Sequence, residues 1–218
     1  IKNTIMKNIK YILLLFVLIG FTACAEPEDV LDDNNIDTTT EVLPELTAGT
    51  ADFSTFVSIG NSLTAGYIDN ALFIAAQENS FPNTLAQKFA LINGGDFIQP
   101  LMNDNFGGLA LGGTRIAQPR LVFGGAGPVP LESLIGPVTV TTDLAVNNPT
   151  GPFNNMGVPG AASFHLIAPG YGNIGNLPSA ANPYFVRMTG GTPNATIMEM
   201  AVAQAPSFVS LWIGNNDV

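Results

Sequence analysis

The stretch Phe56-Val57-Ser58-Ile59-Gly60-Asn61-Ser62-Leu63-Thr64-Ala65-Gly66-Tyr67 decides how the rest of the chain is read. It carries a buried-type strand, Phe53 to Ile59, straight into a serine flanked by glycine and small polar residues. A strand delivering the chain into a functional loop is the habit of α/β proteins, whose sites gather at strand ends. Two distant segments share this layout: Asn155-Met156-Gly157-Val158-Pro159-Gly160-Ala161 and Trp212-Ile213-Gly214-Asn215-Asn216-Asp217 each put Gly or Asn donors at the end of an apolar run. Taken together, the three read as one site, with Ser62 where a nucleophile would sit.

Working outward from the serine, Ser80-Phe81-Pro82 offers a cap and an early helical proline, and Leu85, Ala86, Phe89 and Ala90 recur at helical spacing. Asn93-Gly94-Gly95 ends that run. From Asp96 to Asn154 the composition turns to Gly, Pro, Asn and β-branched residues, predicting a long insertion with a hairpin or two and short strands near Arg120 to Phe123 and Val138 to Thr142. A short helix is expected over Ala161 to Ile167, followed by loop from Pro169 to Pro183. A second helix runs through Ile197, Met200, Ala201 and Ala205, started by Asn194 or Thr192, or by Thr196 and Glu199 at capping-box spacing, and closed by Pro206. Ser207 to Ile213 reads as a strand covered on most of its faces, as in a parallel sheet.

The N-terminus has a different character. A basic stretch (Lys2, Lys7, Lys10) precedes the apolar run Tyr11 to Phe21 and then Thr22-Ala23-Cys24. The run is short for a membrane span and has the three-part layout of a bacterial export signal. Cys24 is the single cysteine, which excludes an intrachain disulfide and a Cys-based zinc site. Its place after small residues resembles a lipobox, in which residues 1–23 are the signal peptide and Cys24 becomes the lipidated first residue; the plain alternative is an incidental cysteine beside an ordinary cleavage site. Several acyl chains on one cysteine anchor stably where one does not.

The formal net charge of −10 is spread unevenly. Between Glu26 and Glu45 lie eight acids and no base among Asn, Thr and Pro, the composition of a solvated tether over residues 24–52. From Phe53 onward eight acids face four bases, Lys88, Arg115, Arg120 and Arg187, so there is no basic stripe for nucleic acid. The alternation Asp33, Asn35, Asp37 lacks the Gly and the closing Glu of a calcium loop. Gly107-Gly108 and Gly124-Gly125-Ala126-Gly127 lack the Lys-Ser/Thr of a phosphate loop. Gly60-x-Ser62-x-Thr64 lacks the second glycine of the α/β-hydrolase nucleophile elbow. No cofactor and no metal are expected.

A serine hydroxyl needs a base to take its proton, and acyl transfer also needs donors aimed where the oxyanion forms. The backbone N–H of Ser62, that of Gly157 and the side-chain amide of Asn216 are placed to supply those donors. In these residues the chain resembles the SGNH, or GDSL-type, serine hydrolases, and in particular lipoprotein members from Bacteroidetes. Gly60-Asn61-Ser62-Leu63 through Tyr67 is similar to the first family block, Gly157 to the glycine of the second, and Gly214-Asn215-Asn216-Asp217 to the G-x-N-D of the third.

The resemblance covers the chain from about Phe53 to its end. It implies a three-layer α/β/α fold with a parallel sheet and the long Gly/Pro-rich insertion at about 96–154, Ser62 as nucleophile, and Ser62, Gly157 and Asn216 as oxyanion hole. The implied substrate is an ester of a lipid, a glycan or a small alcohol, and the implied setting is the bacterial cell envelope, an outer-membrane lipoprotein with possible surface exposure, held through Cys24.

Two departures accompany it. Asn61 stands where the family has Asp. The family's last block, D-x-x-H, which brings base and orienting acid, does not occur before Val218, so residues 53–218 are read as the N-terminal portion of the domain, incomplete at the C-terminus. The sole histidine, His165, follows the second block with no Asp three residues before it and is expected to be structural or at the substrate's edge; Asp217 is expected to brace its loop. The alternative reading is a non-catalytic surface lipoprotein, or a remnant, that keeps the fold and binds glycan or protein.

Overall fold

A computed structural model describes residues 45–218, of which Leu46–Val218 form one compact unit. The expected signal peptide, the lipidated Cys24 and most of the acidic tether lie outside the described residues. The fold is mixed α/β, built on a three-stranded parallel sheet with two small antiparallel hairpins beside it.

Strand β1, Phe56–Gly60, is buried at every position, as its Phe-Val-Ser-Ile-Gly sequence demands. It lies between β6, Asn155–Gly157, and β7, Phe208–Trp212, in the order β6-β1-β7. Chain order and spatial order therefore reverse: the path leaves β1 for one side and later crosses to the other. Ligands of open α/β sheets bind in the crevice outside the carboxyl ends of the strands at such a reversal.

Helix α1, Ser62–Ala65, leaves β1 at once; α2, Ile74–Glu78, and α3, Phe81–Ala90, follow. The α3 span agrees with its apolar spacing and its early proline, but Ser80 does not cap it. The Ser80 hydroxyl donates instead to Gln99 Oε1 (3.2 Å).

The insertion forms two hairpins, β2 (Leu109–Leu111) with β3 (Thr114–Ala117), and β4 (Leu121–Phe123) with β5 (Pro128–Pro130). The first turns on Gly112 and Gly113, both at positive φ, and their N–H groups donate to the Asp143 carboxylate at 2.9 and 2.6 Å. The expected strand over Val138 to Thr142 does not form. Its polar groups go to side chains instead: Val138 N–H donates to Glu132 Oε1 (2.8 Å) and the Val138 carbonyl accepts from Arg115 Nη2 (2.7 Å). A short helix α4, Glu132–Ile135, carries Glu132, to which Arg115 donates from both Nη1 and Nη2 at 2.9 Å.

After β6 a 3₁₀ turn spans Ser163–Ile167, where a short helix was expected; the expected loop from Pro169 to Pro183 holds one further 3₁₀ turn, Ile174–Asn176, and α5, Pro183–Val186, begins where it ends. Helix α6, Ile197–Val202, starts at Thr196 with the full capping box: Thr196 Oγ1 accepts from Glu199 N–H (3.1 Å) and Glu199 Oε2 from Thr196 N–H (2.9 Å). The core on this side joins Val57 and Ile59 of β1 to Phe153, Met156, Phe185 and Ile197. At the amino ends of the strands, Phe56 and Phe208 face each other in register and pack with Phe53, Phe89 and Phe97 at centroid separations of 4.1 to 5.8 Å.

Strand β7 departs from expectation. Its span agrees with the apolar run, but it is exposed at four of five positions rather than covered, with Leu211 at 59% and Trp212 at 52%. Both edges of the sheet have β1 as their one strand partner among the described residues, and the difference lies in what packs on them: β6 is buried under α1, whose Thr64 and Ala65 main chain meets Gly157, while α3 reaches β7 through the Phe81–Trp212 and Phe89–Phe208 contacts at its two ends. No helix among the described residues is long and apolar enough to cross a membrane.

Candidate functional site

The register brings the three sequence blocks to one end of the sheet. Gly60 lies opposite Gly157 on one flank and opposite Trp212 on the other, so the chain leaves all three strands side by side. Ser62 is the first residue of α1, two positions past the strand end. A helix-start N–H has no carbonyl four residues back within its own helix, which leaves Ser62 N–H unused by α1.

Asn61, fully buried, holds this turn from both sides. Its side-chain oxygen accepts from Leu63 N–H (3.3 Å) while its amide donates to Asn215 Oδ1 (2.6 Å), and its backbone N–H donates to the Trp212 carbonyl (3.3 Å). The first and third blocks are thus tied by two hydrogen bonds.

Glycine at 60 and 157 is dictated by space. A Cβ on Gly60 would stand 2.1 Å from Thr64 Oγ1 and 2.4 Å from the Trp212 carbonyl oxygen. One on Gly157 would stand 2.3 Å from Ala65 N and 2.7 Å from the Thr64 carbonyl carbon, both backbone atoms. Each glycine lets a neighbouring main chain approach where no side chain fits.

The expected oxyanion donors differ in how they are engaged. Gly157 N–H donates to Asn155 Oδ1 (3.0 Å), and the Asn216 amide donates one hydrogen to the Ala161 carbonyl (2.9 Å), keeping a second. Asn155 is the residue that sequence reasoning passed over. Buried, it accepts from Gly157 and donates to the Thr64 carbonyl and to Gln99 Oε1, both at 3.0 Å, which joins β6, α1 and the insertion. The available signal was a polar side chain at the start of an otherwise apolar strand.

His165 accepts the Ala162 N–H at Nδ1 (2.9 Å) and stacks on Tyr171 with ring centroids 4.2 Å apart. Neutral His165 then carries its proton on Nε2 and has no free lone pair to take one from Ser62. Burial holds its pKa below the ordinary value, against the pull of Asp217. Asp217 accepts from Ser163 N–H (2.7 Å), and hydrogen bonding from Ser163 keeps its carboxyl below the usual range. The Gly214 to Asp217 loop is therefore fastened to the 161–165 turn by Asn216 and Asp217 together.

An apolar hollow of about 330 Å³ begins beside the serine turn, lined by Leu63, Gly66, Tyr67, Ile68, Phe81 and Trp212. Among the described residues no three His, Cys, Asp or Glu side chains come together as a metal site. No protein-family model, curated protein or solved structure matches the chain.

Proposed function

We propose that the protein is a serine ester hydrolase in which Ser62 attacks the ester carbonyl while Ser62 N–H, Gly157 N–H and the Asn216 amide receive the oxyanion. The observation that carries this reading is the alignment of Ser62, Gly157 and the Asn215-Asn216 turn at the carboxyl ends of three adjacent parallel strands. Its support is chemical: an activated serine and convergent amide donors are what acyl transfer requires. The finer fold assignment, a three-layer SGNH-type domain, belongs to the same proposal, and the order β6-β1-β7 with its reversal at the site is compatible with it. The apolar hollow beside Leu63 suits the acyl portion of an ester. The base is not His165, whose Nδ1 is already committed. Attachment to a membrane through Cys24 and an envelope location remain part of this proposal.

A second reading, a fold that binds glycan or protein without catalysis, is favoured by one observation: Gly157 N–H is spent on Asn155 and one Asn216 hydrogen on Ala161. Labelling with a fluorophosphonate probe separates the two. For protein expressed from its whole reading frame, a single adduct on Ser62 that disappears in Ser62→Ala is the expected outcome. Folded protein that takes no label, or a Ser62→Ala variant that still takes it, overturns the esterase reading.

A further inference from the structure

Two of the arginines in the body sit near acids. Arg115 grips Glu132, and Arg120 approaches Asp69 at 3.9 Å while its guanidinium rests 4.7 Å above the Phe73 ring. Arg187 does neither. It is 1% exposed and heads the fully buried side chains by size. Nη1 donates to the Pro100 carbonyl (3.3 Å) and to Met102 Sδ (3.1 Å), Nη2 donates to the Leu101 carbonyl, and Nε has no partner among the described residues. Carbonyls and a thioether satisfy N–H groups but bring no counter-charge, and a buried charge is costly unless paired. Burial draws the guanidinium down to about 10, which leaves it a cation at neutral pH. Tyr184, beside it, is pushed up chiefly by burial and so supplies no negative charge.

A cavity of about 10 Å³ opens beside Arg187, lined also by Ala65, Gln77, Asn155, Gly157 and Tyr184. That is room for one particle of the size of water. Two of the amides on the lining are occupied: Asn155 donates to Thr64 and Gln99, and Gly157 N–H to Asn155. The Tyr184 hydroxyl is shared with Tyr67, so the unspent Arg187 Nε and the second amide hydrogen of Gln77, whose first goes to Pro100, are the donors left for an occupant. A water would satisfy them without offsetting the charge, whereas a monovalent anion little larger than water does both.

We infer that this cavity holds one small monovalent anion, chloride by size, bound at Arg187 Nε beneath the seam where Gly157 of β6 meets Ala65 of α1. The site shares the Gly157 wall with the proposed oxyanion hole but does not rest on catalysis, and its tests read stability and ion occupancy rather than esterase activity.

Thermal unfolding of the whole protein in sodium chloride and in sodium gluconate at equal ionic strength tests it, together with anomalous diffraction from crystals grown in sodium bromide. The expected result is a midpoint roughly 2–4 °C higher in chloride once chloride exceeds its Kd about fivefold. The chloride increment should vanish in Arg187→Met, and a bromide peak should lie within hydrogen-bonding reach of Arg187 Nε. The bromide experiment uses the unaltered protein, so it decides even if Arg187→Met fails to fold. Equal midpoints in the two salts, a chloride increment that survives Arg187→Met, or a water in place of bromide would each overturn the inference.

Discussion

Strands β1 and β7 pair in register over five residues, yet β1 is buried throughout and β7 is exposed at four of its five positions. Their sequences, Phe-Val-Ser-Ile-Gly and Phe-Val-Ser-Leu-Trp, share the first three residues and an aliphatic fourth, and part only at Gly60 and Trp212. The difference shows that an apolar run reports what a strand can bury, while its neighbours in space decide what it does bury. β1 has a strand on each flank, and β6, an edge like β7, is buried under α1; β7 has neither cover. The serine turn therefore grows from the most enclosed strand, and the asparagine turn from the most open one.

The contrast can be broken most forcefully at Gly60, the point where the two strands deliver the chain. Gly60→Ala forces a methyl into Thr64 and the Trp212 carbonyl, and because one obstacle is main chain the cost should pass the ~1–3 kcal/mol of ordinary overpacking and reach about 5 kcal/mol. Denaturant unfolding should show a large drop in midpoint, and a midpoint within experimental error of wild type would mean the two backbones can separate without loss. The paired truncations Ile59→Ala and Leu211→Ala sharpen the comparison, because these residues face each other across the ladder. Ile59→Ala should cost about 2–5 kcal/mol, and Leu211→Ala should stay within about 0.5 kcal/mol. Equal losses would mean that β7 is covered in solution.

A smaller effect is expected at the one side-chain bond between the strands, Ser210 Oγ to Ser58 Oγ at 2.7 Å. Ser210→Ala leaves the buried Ser58 hydroxyl short of a partner and should cost about 1 kcal/mol, read by the same unfolding curves. The smallest effect lies far from the sheet. Hydrogen bonding from Arg115, with Val138 N–H next, depresses Glu132 to about 2 from an ordinary 4.5. A depressed carboxyl stabilises the fold above its unfolded pKa, and that contribution is lost as pH falls through the folded value. The ion pair should therefore persist between pH 4.5 and 2, where an unpaired Glu would already be protonated. Carboxyl chemical shifts of Glu132 against pH measure this directly, and a midpoint near 4.5 would show the clamp to be open.

Much of this arrangement was legible in the sequence where one residue type has one use. Thr196 and Glu199 predicted their capping box, the Gly- and Pro-rich insertion its hairpins, and the run Phe53 to Ile59 a buried strand, which forms over Phe56–Gly60. The three blocks were legible as strand ends because each closes an apolar run on Gly or Asn. What was not legible depended on partners remote in sequence. Val138 to Thr142 has strand-forming residues, but Arg115 and Glu132 claim the backbone of Val138, and Asp104 and Asn103 that of Thr141. Nothing in the sequence marks Asn155 or Arg187 for burial, and only the folded chain buries both against one cavity. The coverage of β7 was misread because burial at an edge is a property of neighbours.

Trp212, the only tryptophan in the chain, closes β7 at the site end, half-exposed and 5.6 Å from the Phe81 ring. The five clustered phenylalanines gather at the other end of the strands, and phenylalanine contributes almost nothing to emission excited at the red edge of protein absorbance. Fluorescence excited there consequently comes from one address, three residues before Asn215. Any event that covers the open edge, fills the hollow beside Leu63 or loosens the asparagine turn will shift that single colour, with no second tryptophan to blur it.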